Sequence, residues 1–266
     1  MSRRLYEALY LIDATEHTAR LKTPLAQTDA RAKLVVLLTF LLTMLSLPTE
    51  RLSNLMLFAI YPITMAAAAG IGYGQVLRRS LIIIPFVALI ALPNIFYQRE
   101  PMLEVYGVVI TRGWITLLAI TLRGILAVQG VVVVIASTGL YGTCRAMQRL
   151  GVPHILASQI YLTLRYIRLM VEQALHLQQA VESRLFSHKT LPLTLWARLT
   201  GRLLLLSIGR GEAVGRAMAS RGFVGQMPQL PYRHTKRWRR RDSTYLVVWC
   251  GTLLLLRVLH FAEMIF

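Results

Sequence analysis

Five apolar windows limit what this chain can fold into more than any other feature of its sequence. A helix that crosses the hydrocarbon core of a bilayer needs about 20 apolar residues, and each window reaches or approaches that length. The windows are Leu34–Leu47, Leu52–Gly70, Leu81–Phe96, Trp114–Ala136 and Tyr245–Phe261. Because the first and third are short, we expect those helices to tilt or to gain turns from their flanks. The pattern predicts an all-α polytopic membrane protein with about five transmembrane helices.

The distribution of basic residues orients these helices in the membrane. The formal net charge is +18, and more than half of the 30 basic residues lie in Gly139–Asp242. Others precede the first window or stand at Arg78 and Arg79. Because cytoplasmic loops carry such an excess, the N-terminus and residues 139–242 are predicted to lie in the cytoplasm and the C-terminus outside the cytoplasmic (inner) membrane. The chain then divides into residues 1–138 with four spans, a cytoplasmic region 139–242, and a last span in residues 243–266.

The cytoplasmic region is too long for an unstructured loop, and it carries two helical patterns. One covers His154–Leu185 and follows Pro153, which suits a helix start. The other covers about Pro192–Arg221 and has apolar residues at spacings of three and four. Gly211 and Gly215 lie on the second pattern, and such a pair of small residues allows another helix to approach closely. The sequence therefore predicts two long cytoplasmic helices.

Both helices end in a serine followed by an arginine. The first ends at Ser183-Arg184 and the second at Ser220-Arg221-Gly222. An arginine near the C-terminus of a helix complements the helix dipole, which explains each arginine by itself. Alternatively, the two arginines are matched cationic tips that the helices present to the cytosol. Spacing alone leaves both interpretations open.

Arg123 is a charge about midway along the longest apolar window, where an ionised side chain is costly. In a functional interpretation it meets a polar partner in this chain or in another subunit. In a structural interpretation it snorkels towards the membrane surface, or the window is drawn too long. The sequence does not decide between them.

We find no set of residues in the sequence with the spacing that a catalytic or metal site needs. Cys144 and Cys250 are far apart, the six histidines are scattered, and the 12 acids are dispersed. No G-x-x-x-x-G-K-S/T stretch for nucleotide phosphates occurs in the sequence. We therefore expect no catalytic residue, no metal site and no cofactor, and we do not expect the chain to be an enzyme.

Two regions resemble motifs of the transmembrane T component of energy-coupling-factor (ECF) importers, which are multi-subunit ATP-driven transporters. The stretch TPLAQTDARAKL, Thr23–Leu34, resembles the family's N-terminal motif at Asp29, Arg31 and Lys33, with Ala30 where the family often has proline. In the cytoplasmic region, RLGVPHILASQIYLTLRYIRLMVEQ resembles the start of a long family helix. The resemblance extends over most of the chain, from about residue 11 to residue 228.

Two further stretches resemble the family's paired Ala-Arg-Gly signatures. GEAVGRAMASRGF matches the second signature with Ser220 in place of alanine. ESRLF stands at the first signature and departs further, because Ser183 replaces alanine and Leu185 replaces glycine or serine. Together the motifs are specific, although each alone is short.

The resemblance implies that the two long helices are coupling helices. In the family such helices cross each other, carry a substrate-binding S component on their membrane face, and dock their ends on two ABC ATPase subunits. ATP hydrolysis is then expected in the partners, and Gly222 ends the second helix because glycine accepts a positive φ. The residues that the resemblance assigns to ATPase coupling are Ser183, Arg184, Leu185, Ser220, Arg221 and Gly222. Length and motif style resemble the cobalt/nickel branch, with a vitamin importer as the alternative.

Other classes of membrane protein fit the sequence less well. An ordinary ABC permease also docks an ATPase through a cytoplasmic loop, and EAVGRAM begins like that loop but lacks its downstream glycine and Leu-Pro ending. The basic stretch KRWRRRD, Lys236–Asp242, could bind nucleic acid, but it directly precedes the last apolar window. A role in setting the membrane topology and in binding anionic lipid explains this basic stretch better. We therefore expect the lipid bilayer, and no nucleic acid, among the partners.

Overall fold

The computed structural model describes residues 23–48, 52–97, 101–105, 108–184, 193–223 and 238–265. These residues are helical apart from short connections and one hairpin. The helices are α1 (Pro24–Gln27), α2 (Ala30–Leu45), α3 (Leu52–Leu57), α4 (Ile60–Ala68), α5 (Tyr73–Ser80), a 3₁₀ turn (Leu81–Ile83), α6 (Ile84–Ala91), α7 (Pro93–Tyr97), α8 (Arg112–Thr138), α9 (Leu140–Arg149), α10 (His154–Glu182), α11 (Leu193–Ser220) and α12 (Arg240–Ile265). The hairpin pairs β1 (Pro101–Val105) with β2 (Val108–Thr111) in antiparallel fashion.

Two helical stretches in the described residues are long and apolar enough to cross a bilayer. Tyr73–Tyr97 has 25 residues with a mean hydropathy of 2.1, and Arg112–Thr138 has 27 residues with a mean hydropathy of 2.2. Leu55–Ala68 is apolar but shorter. Most of the surface of both long stretches is not covered by the rest of the protein, as expected for helices that contact lipid. The chain is an all-α membrane protein, as predicted, and the number of spans stays a prediction.

The boundaries of the apolar helices differ from those of the apolar windows. The helix of the short window Leu81–Phe96 gains turns from its flank, as expected, because the helical stretch begins at Tyr73 and includes Arg78 and Arg79 in its first turns. The window Leu52–Gly70 is divided between α3 and α4. The residues between the third and fourth windows contain the hairpin, which was not predicted.

Threonines inside the apolar helices do not interrupt them. The hydroxyl of Thr39 donates to the carbonyl of Val35 at 3.0 Å, and that of Thr43 donates to the carbonyl of Thr39 at 2.7 Å. In α8 the hydroxyl of Thr121 donates to the carbonyl of Leu117 at 2.8 Å. Each hydroxyl is thus satisfied by its own helix, so threonine is compatible with an apolar environment.

The described residues form two compact units. Residues 23–139 and 238–265 form one, here called the span unit, and residues 140–223 form the other, the long-helix unit. The chain leaves the span unit after Gly139 and has returned to it at Trp238. The predicted division of the chain at residues 138 and 242 concerns membrane topology and stays a prediction.

Helix α8 is the central element of the span unit, where it contacts α2 to α7. Close packing depends on glycine at two positions. A Cβ on Gly124 would lie 2.8 Å from a methyl carbon of Val87, and a Cβ on Gly130 would lie 3.2 Å from atoms of Leu37 and Phe40. Small residues therefore allow α6 and α2 to approach α8 closely, as in other membrane helix pairs.

Aromatic rings fill the space between α2, α4 and α12. Phe40 stacks on Tyr61 with ring centroids 4.5 Å apart, and Tyr61 meets Trp249 edge-on at 5.2 Å. Phe58 lies 6.2 Å from Phe40. Such offset and edge-on pairs add to the stability that burial of apolar area gives, and they fix α12 against α2.

The long-helix unit consists of α9, α10 and α11, with α9 packed on α10 and α10 on α11. Helices α10 and α11 have 29 and 28 residues, so each is about 42 Å long at 1.5 Å per residue. Both lie where the sequence predicts them, and Pro153 precedes α10 as expected. Added Cβ atoms on Gly211 and Gly215 would meet nothing within 4 Å, so in the described residues no helix packs against this pair.

Candidate functional site

The tip of α10 carries the first serine–arginine pair. The amide of Ser183 donates to the carbonyl of Gln179 at 2.9 Å, and the amide of Arg184 donates to that of Val181 at 3.0 Å. The Ser183 hydroxyl donates to the carbonyl of Ala180 at 3.1 Å. Both residues are exposed. The helix thus continues its hydrogen bonding to its last turn and places Arg184 in solvent. Leu185, also assigned to this site, lies outside the described residues.

The tip of α11 has a defined C-cap that Gly222 makes possible. The amide of Phe223 donates to the carbonyl of Met218 at 3.1 Å, and the amide of Gly222 donates to that of Ala219 at 3.0 Å. These two bonds are the Schellman motif, which needs a left-handed residue just past the helix. Gly222 has the positive φ expected of a glycine that ends a helix, at +74°. Arg221 lies at the capping position.

The two tips are alike in their local chemistry. The hydroxyl of Ser220 donates to the carbonyl of Ala217 at 3.0 Å, as that of Ser183 does three residues back in α10. Arg221 is exposed like Arg184. Among the described residues neither guanidinium group has an ion-pair or hydrogen-bond partner. Neither arginine therefore bonds to the carbonyls of its own helix end there, and both are available for a partner.

One turn before the second tip, Arg216 pairs with Glu212 at 3.6 Å. Both side chains are largely exposed, at 74% and 64%. An exposed pair at this spacing contributes only about 0.3–0.5 kcal/mol. Arg216 thus has an acidic partner on its own helix. Arg221 has none, because the residues three and four positions before it are Met218 and Ala217.

The N-terminal motif lies at one end of the span unit. Asp29 is the N-cap of α2, where its Oδ1 accepts from the amide of Arg31 at 3.0 Å. The Arg31 guanidinium is 3.6 Å from the same oxygen and lies over the ring of Trp238 at 5.9 Å. Aspartate is a preferred N-cap, so the start of α2 follows directly from this motif.

Lys33 is a buried cation with only 2% of its surface exposed. Its Nζ donates to the carbonyl of Ser137 at 3.2 Å and to the hydroxyl of Thr138 at 3.3 Å. These two residues end α8, just before Gly139 at φ +77°. The ammonium group therefore meets the negative end of the α8 dipole, which stabilises a buried positive charge.

Asp242 is a buried acid, 4% exposed, that joins the starts of α2 and α12. Its Oδ1 accepts from the amide of Asp29 at 2.9 Å, and its Oδ2 accepts from the amide of Arg239 at 2.8 Å. The second bond is half of a capping box, in which the third helical residue reaches back to the N-cap. We call Asp29, Lys33, Thr138 and Asp242 together the helix-end clasp. Sequence reasoning missed Asp242, although it is the single acid in a run of arginines.

Arg123 has a partner within the chain. Its Nη2 donates to the carbonyl of Leu47, just past the end of α2. Carbonyl groups at a helix C-terminus lack partners in their own helix, and an arginine there also complements the dipole. Part of Arg123 remains accessible. The contact gives this intramembrane charge a structural role at the end of α2.

A second polar group in the apolar helices was not predicted to matter. Gln129, in α8, is 1% exposed. Its Oε1 accepts from the hydroxyl of Tyr73 at 3.1 Å, and its Nε2 lies 3.5 Å from the hydroxyl of Ser80. These contacts join α8 to α5, which explains why the helix that contains Tyr73 begins before its apolar window.

Histidine, cysteine and acidic residues are not gathered into a group of three or more anywhere in the described residues. Cys144 is buried in α9, and burial raises the pKa of its thiol. Cys144 and Cys250 are both free thiols. The absence of a metal site and of a cofactor stays a prediction.

Comparisons with known proteins agree with the motifs. The chain matches the cobalt transport protein family, CbiQ, over residues 21–232, a range that contains the N-terminal motif and both helix tips. It is 26% identical over 226 residues to the uncharacterized protein MJ1571 of Methanocaldococcus jannaschii, an alignment that covers 81% of this chain and 76% of that protein. The chain therefore belongs to the cobalt transport protein (CbiQ) family, the family of the membrane-embedded T components of ECF transporters.

Proposed function

We propose that this chain is the energy-coupling transmembrane subunit of an ECF-type importer. It links two cytosolic ABC ATPases to a small substrate-binding S component, and it carries no catalytic site itself. Arg184 and Arg221 each enter a groove of one ATPase. The observation that carries the proposal is the pair of like helix tips, each with an exposed arginine that no described residue engages.

The chemistry of arginine suits this role. A guanidinium group is always charged and presents five donors in a fixed plane, so it can hold a carboxylate or several carbonyl groups at once. The Schellman cap fixes the position of Arg221 relative to α11. A tip that is fixed to a helix of about 42 Å transmits a displacement of the ATPase along the whole helix, which a flexible loop would not do.

The open face of α11 supports an S component as the second partner. Leu204, Leu205 and Ile208 expose more than half of their surface, at 59%, 68% and 51%. On the same helix Gly211 and Gly215 have space beside them. Exposed apolar side chains next to small residues fit the packing of a membrane helix, and no described residue covers them.

The directions of the helices agree with the predicted topology. The clasp brings the starts of α2 and α12 to the end of α8, so α2 and α12 run parallel and α8 runs against them. A chain with its N-terminus in the cytoplasm and five spans requires these directions for spans one, four and five. The density of basic residues at this end of the span unit supports a cytoplasmic side of an inner membrane for it.

Cobalt is the solute that the family description favours. Nickel and a vitamin remain the alternatives, because the T component need not touch the solute. Uptake of Co²⁺, Ni²⁺ and labelled vitamins by cells that express the complete transporter separates them. We expect Co²⁺ uptake, and transport of a vitamin alone would contradict the cobalt assignment.

Purification tests the coupling role. The full chain, expressed with its ATPases, should co-purify with two ATPase subunits and more weakly with a small membrane protein. Hydrolysis of ATP should require the ATPases. An Arg202→Ala variant is a matched control, because Arg202 is exposed on α11 and distant from the tip. ATP hydrolysis by the pure single chain, or failure to bind any ATPase, would reject the proposal.

A further inference from the structure

The helix-end clasp lies where the chain connects the span unit to the long-helix unit. The chain leaves the span unit directly after Thr138 and Gly139. On its return, Trp238 is the first described residue and Asp242 follows in the first turn of α12. Both connections therefore begin within a few residues of a clasp side chain.

Lys33 holds the first connection. Two groups at the last turn of α8 bind its ammonium, the carbonyl of Ser137 and the hydroxyl of Thr138. The lysine is almost completely buried, so the ammonium cannot exchange these partners for water without exposing the interior. The end of α8 is therefore fixed to the first turns of α2.

Asp242 holds the second connection. One carboxylate oxygen binds the amide of Asp29 at the start of α2, and the other binds the amide of Arg239 at the start of α12. Backbone amides at a helix start have no partner in their own helix. A single buried carboxylate thus satisfies two helix starts, and a shift of the start of α2 would leave the buried amide of Asp29 unpaired.

Lys33 and Asp242 act on the same helix, α2. The end of α8, the start of α2 and the start of α12 are therefore all joined through α2. The three ends are held by buried or partly buried, charge-assisted hydrogen bonds, which are stronger and more directional than apolar contacts. A displacement applied at Gly139 or at Trp238 would therefore be transmitted to all three helices. Apolar packing alone would allow one helix to slide along another.

We propose that the helix-end clasp is the anchor through which the span unit receives movement of the coupling helices, with Lys33 and Asp242 as its positioning residues. This inference rests on the proposed coupling function. It assigns to the N-terminal motif a mechanical role at the two chain connections, in addition to the start of a helix.

Three substitutions weaken the clasp in different ways. Lys33→Met keeps the length and apolar stem of the side chain and removes the ammonium. Thr138→Val removes one acceptor of that ammonium and keeps the shape. Asp242→Asn keeps the shape and removes one of two acceptor oxygens. Arg241→Gln is the matched control, since Arg241 is an exposed neighbour of Asp242 outside the clasp.

The decisive measurement is the amount of Co²⁺ taken up per ATP hydrolysed by the complete reconstituted transporter. A loss of folding lowers the amount of complex and reduces both rates in proportion, so it leaves this ratio unchanged. A loss of anchoring leaves the ATPases bound and active and lowers the ratio. We expect Lys33→Met and Asp242→Asn to lower it about fivefold or more, the lower end of the usual coupling between two sites. Thr138→Val should lower it less, and Arg241→Gln should leave it unchanged.

Hydrogen exchange on the purified full chain tests the clasp itself without any partner. In Asp242→Asn the amides of Asp29 and Arg239 should exchange faster than in the wild type, while Arg241→Gln should leave them unchanged. Equal exchange in all variants would overturn the clasp as a physical link. This result does not depend on what the transporter carries.

The outcomes separate the anchor from the proposed function. If wild-type transporter binds its ATPases and takes up Co²⁺, and assembled Lys33→Met and Asp242→Asn complexes keep the normal ratio, the anchor is wrong and the coupling function stands. If the Lys33→Met protein does not accumulate, the Co²⁺ uptake per ATP hydrolysed in Asp242→Asn and Thr138→Val is the test instead. A normal value in both variants again rejects the anchor. If the wild-type chain binds no ATPase, the proposed function is wrong, and the anchor is rejected with it.

Discussion

Replacing Gly222 with alanine tests whether the backbone at the second tip holds Arg221 in place. Gly222 has φ +74° and open space around it, since an added Cβ would meet nothing within 4 Å. The methyl group therefore causes no clash with a neighbour, and the cost is that of the backbone conformation alone. A non-glycine residue in the left-handed region costs about 1–2 kcal/mol. The free energy needed to open the two Schellman hydrogen bonds, at the amides of Gly222 and Phe223, should fall by the same amount.

The same substitution at Gly215 provides the matched control with the opposite sign. Gly215 lies inside α11 and also has nothing within 4 Å of an added Cβ. Alanine in a helix interior is favoured over glycine by about 0.5–1 kcal/mol. Gly215→Ala should therefore stabilise the last turns of α11, and Gly222→Ala should destabilise them.

Amide hydrogen exchange over residues 216–223 measures both effects, because exchange reports local opening of the helix end. A loss of 1–2 kcal/mol speeds exchange by about 5–30-fold, and we expect this in Gly222→Ala and slower exchange in Gly215→Ala. ATPase binding should weaken in Gly222→Ala. Equal exchange rates in Gly222→Ala and wild type would refute the argument that the left-handed glycine fixes the tip.

Three further substitutions test other contacts of the chain. Gly124→Ala places a methyl group against Val87 and should lower the stability in detergent by about 1–3 kcal/mol, seen as a lower Tm. Arg123→Met leaves the carbonyl of Leu47 without its donor, which should also cost about 1–3 kcal/mol and lower the Tm. Arg239→Ala keeps the backbone amide that binds the clasp, so co-purification with the ATPases should be unchanged; lost co-purification would assign this side chain to the ATPase interface.

The long helices and their ends could be predicted from local signals. Pro153 and Gly222 mark a helix start and a helix end through backbone geometry alone, and both act where expected. The window Trp114–Ala136 became Arg112–Thr138 because apolar composition extends almost to both ends of that helix. These helix ends and this apolar helix depend on residues close together in the chain, which is why residue type and local composition are sufficient to find them.

The clasp could not be predicted, because its bonds join distant parts of the chain. Asp29 meets Asp242 across 213 positions, and Lys33 meets Ser137 across 104. The family resemblance identified Asp29 and Lys33 only as parts of a motif, and the charge pattern assigned Asp242 to a basic stretch. Their roles depend on which helix ends meet, and no local pattern encodes that.

One helix start and one hairpin were missed for different reasons. The apolar window from Leu81 missed the start at Tyr73, because Arg78 and Arg79 lower the apolarity of helical turns that Tyr73 and Gln129 tie to α8. The hairpin that includes Val108–Thr111 was overlooked, although a short run of β-branched residues is a strand signal. The charges of that link were used only to predict membrane topology, and its strand propensity was not considered.

The most direct test of the central claim is the double variant Arg184→Ala, Arg221→Ala in the complete transporter. Truncating one partner of a buried, hydrogen-bonded charge pair costs about 2–5 kcal/mol, and in the proposed function each tip binds one ATPase. Arg221→Lys should rescue only part of the loss, since lysine lacks the planar fork. We predict that at normal expression the double variant loses Co²⁺ uptake and binds its ATPases more weakly than either single variant. Unchanged uptake in the double variant would show that the two arginines only complement their helix dipoles, and it would contradict the account.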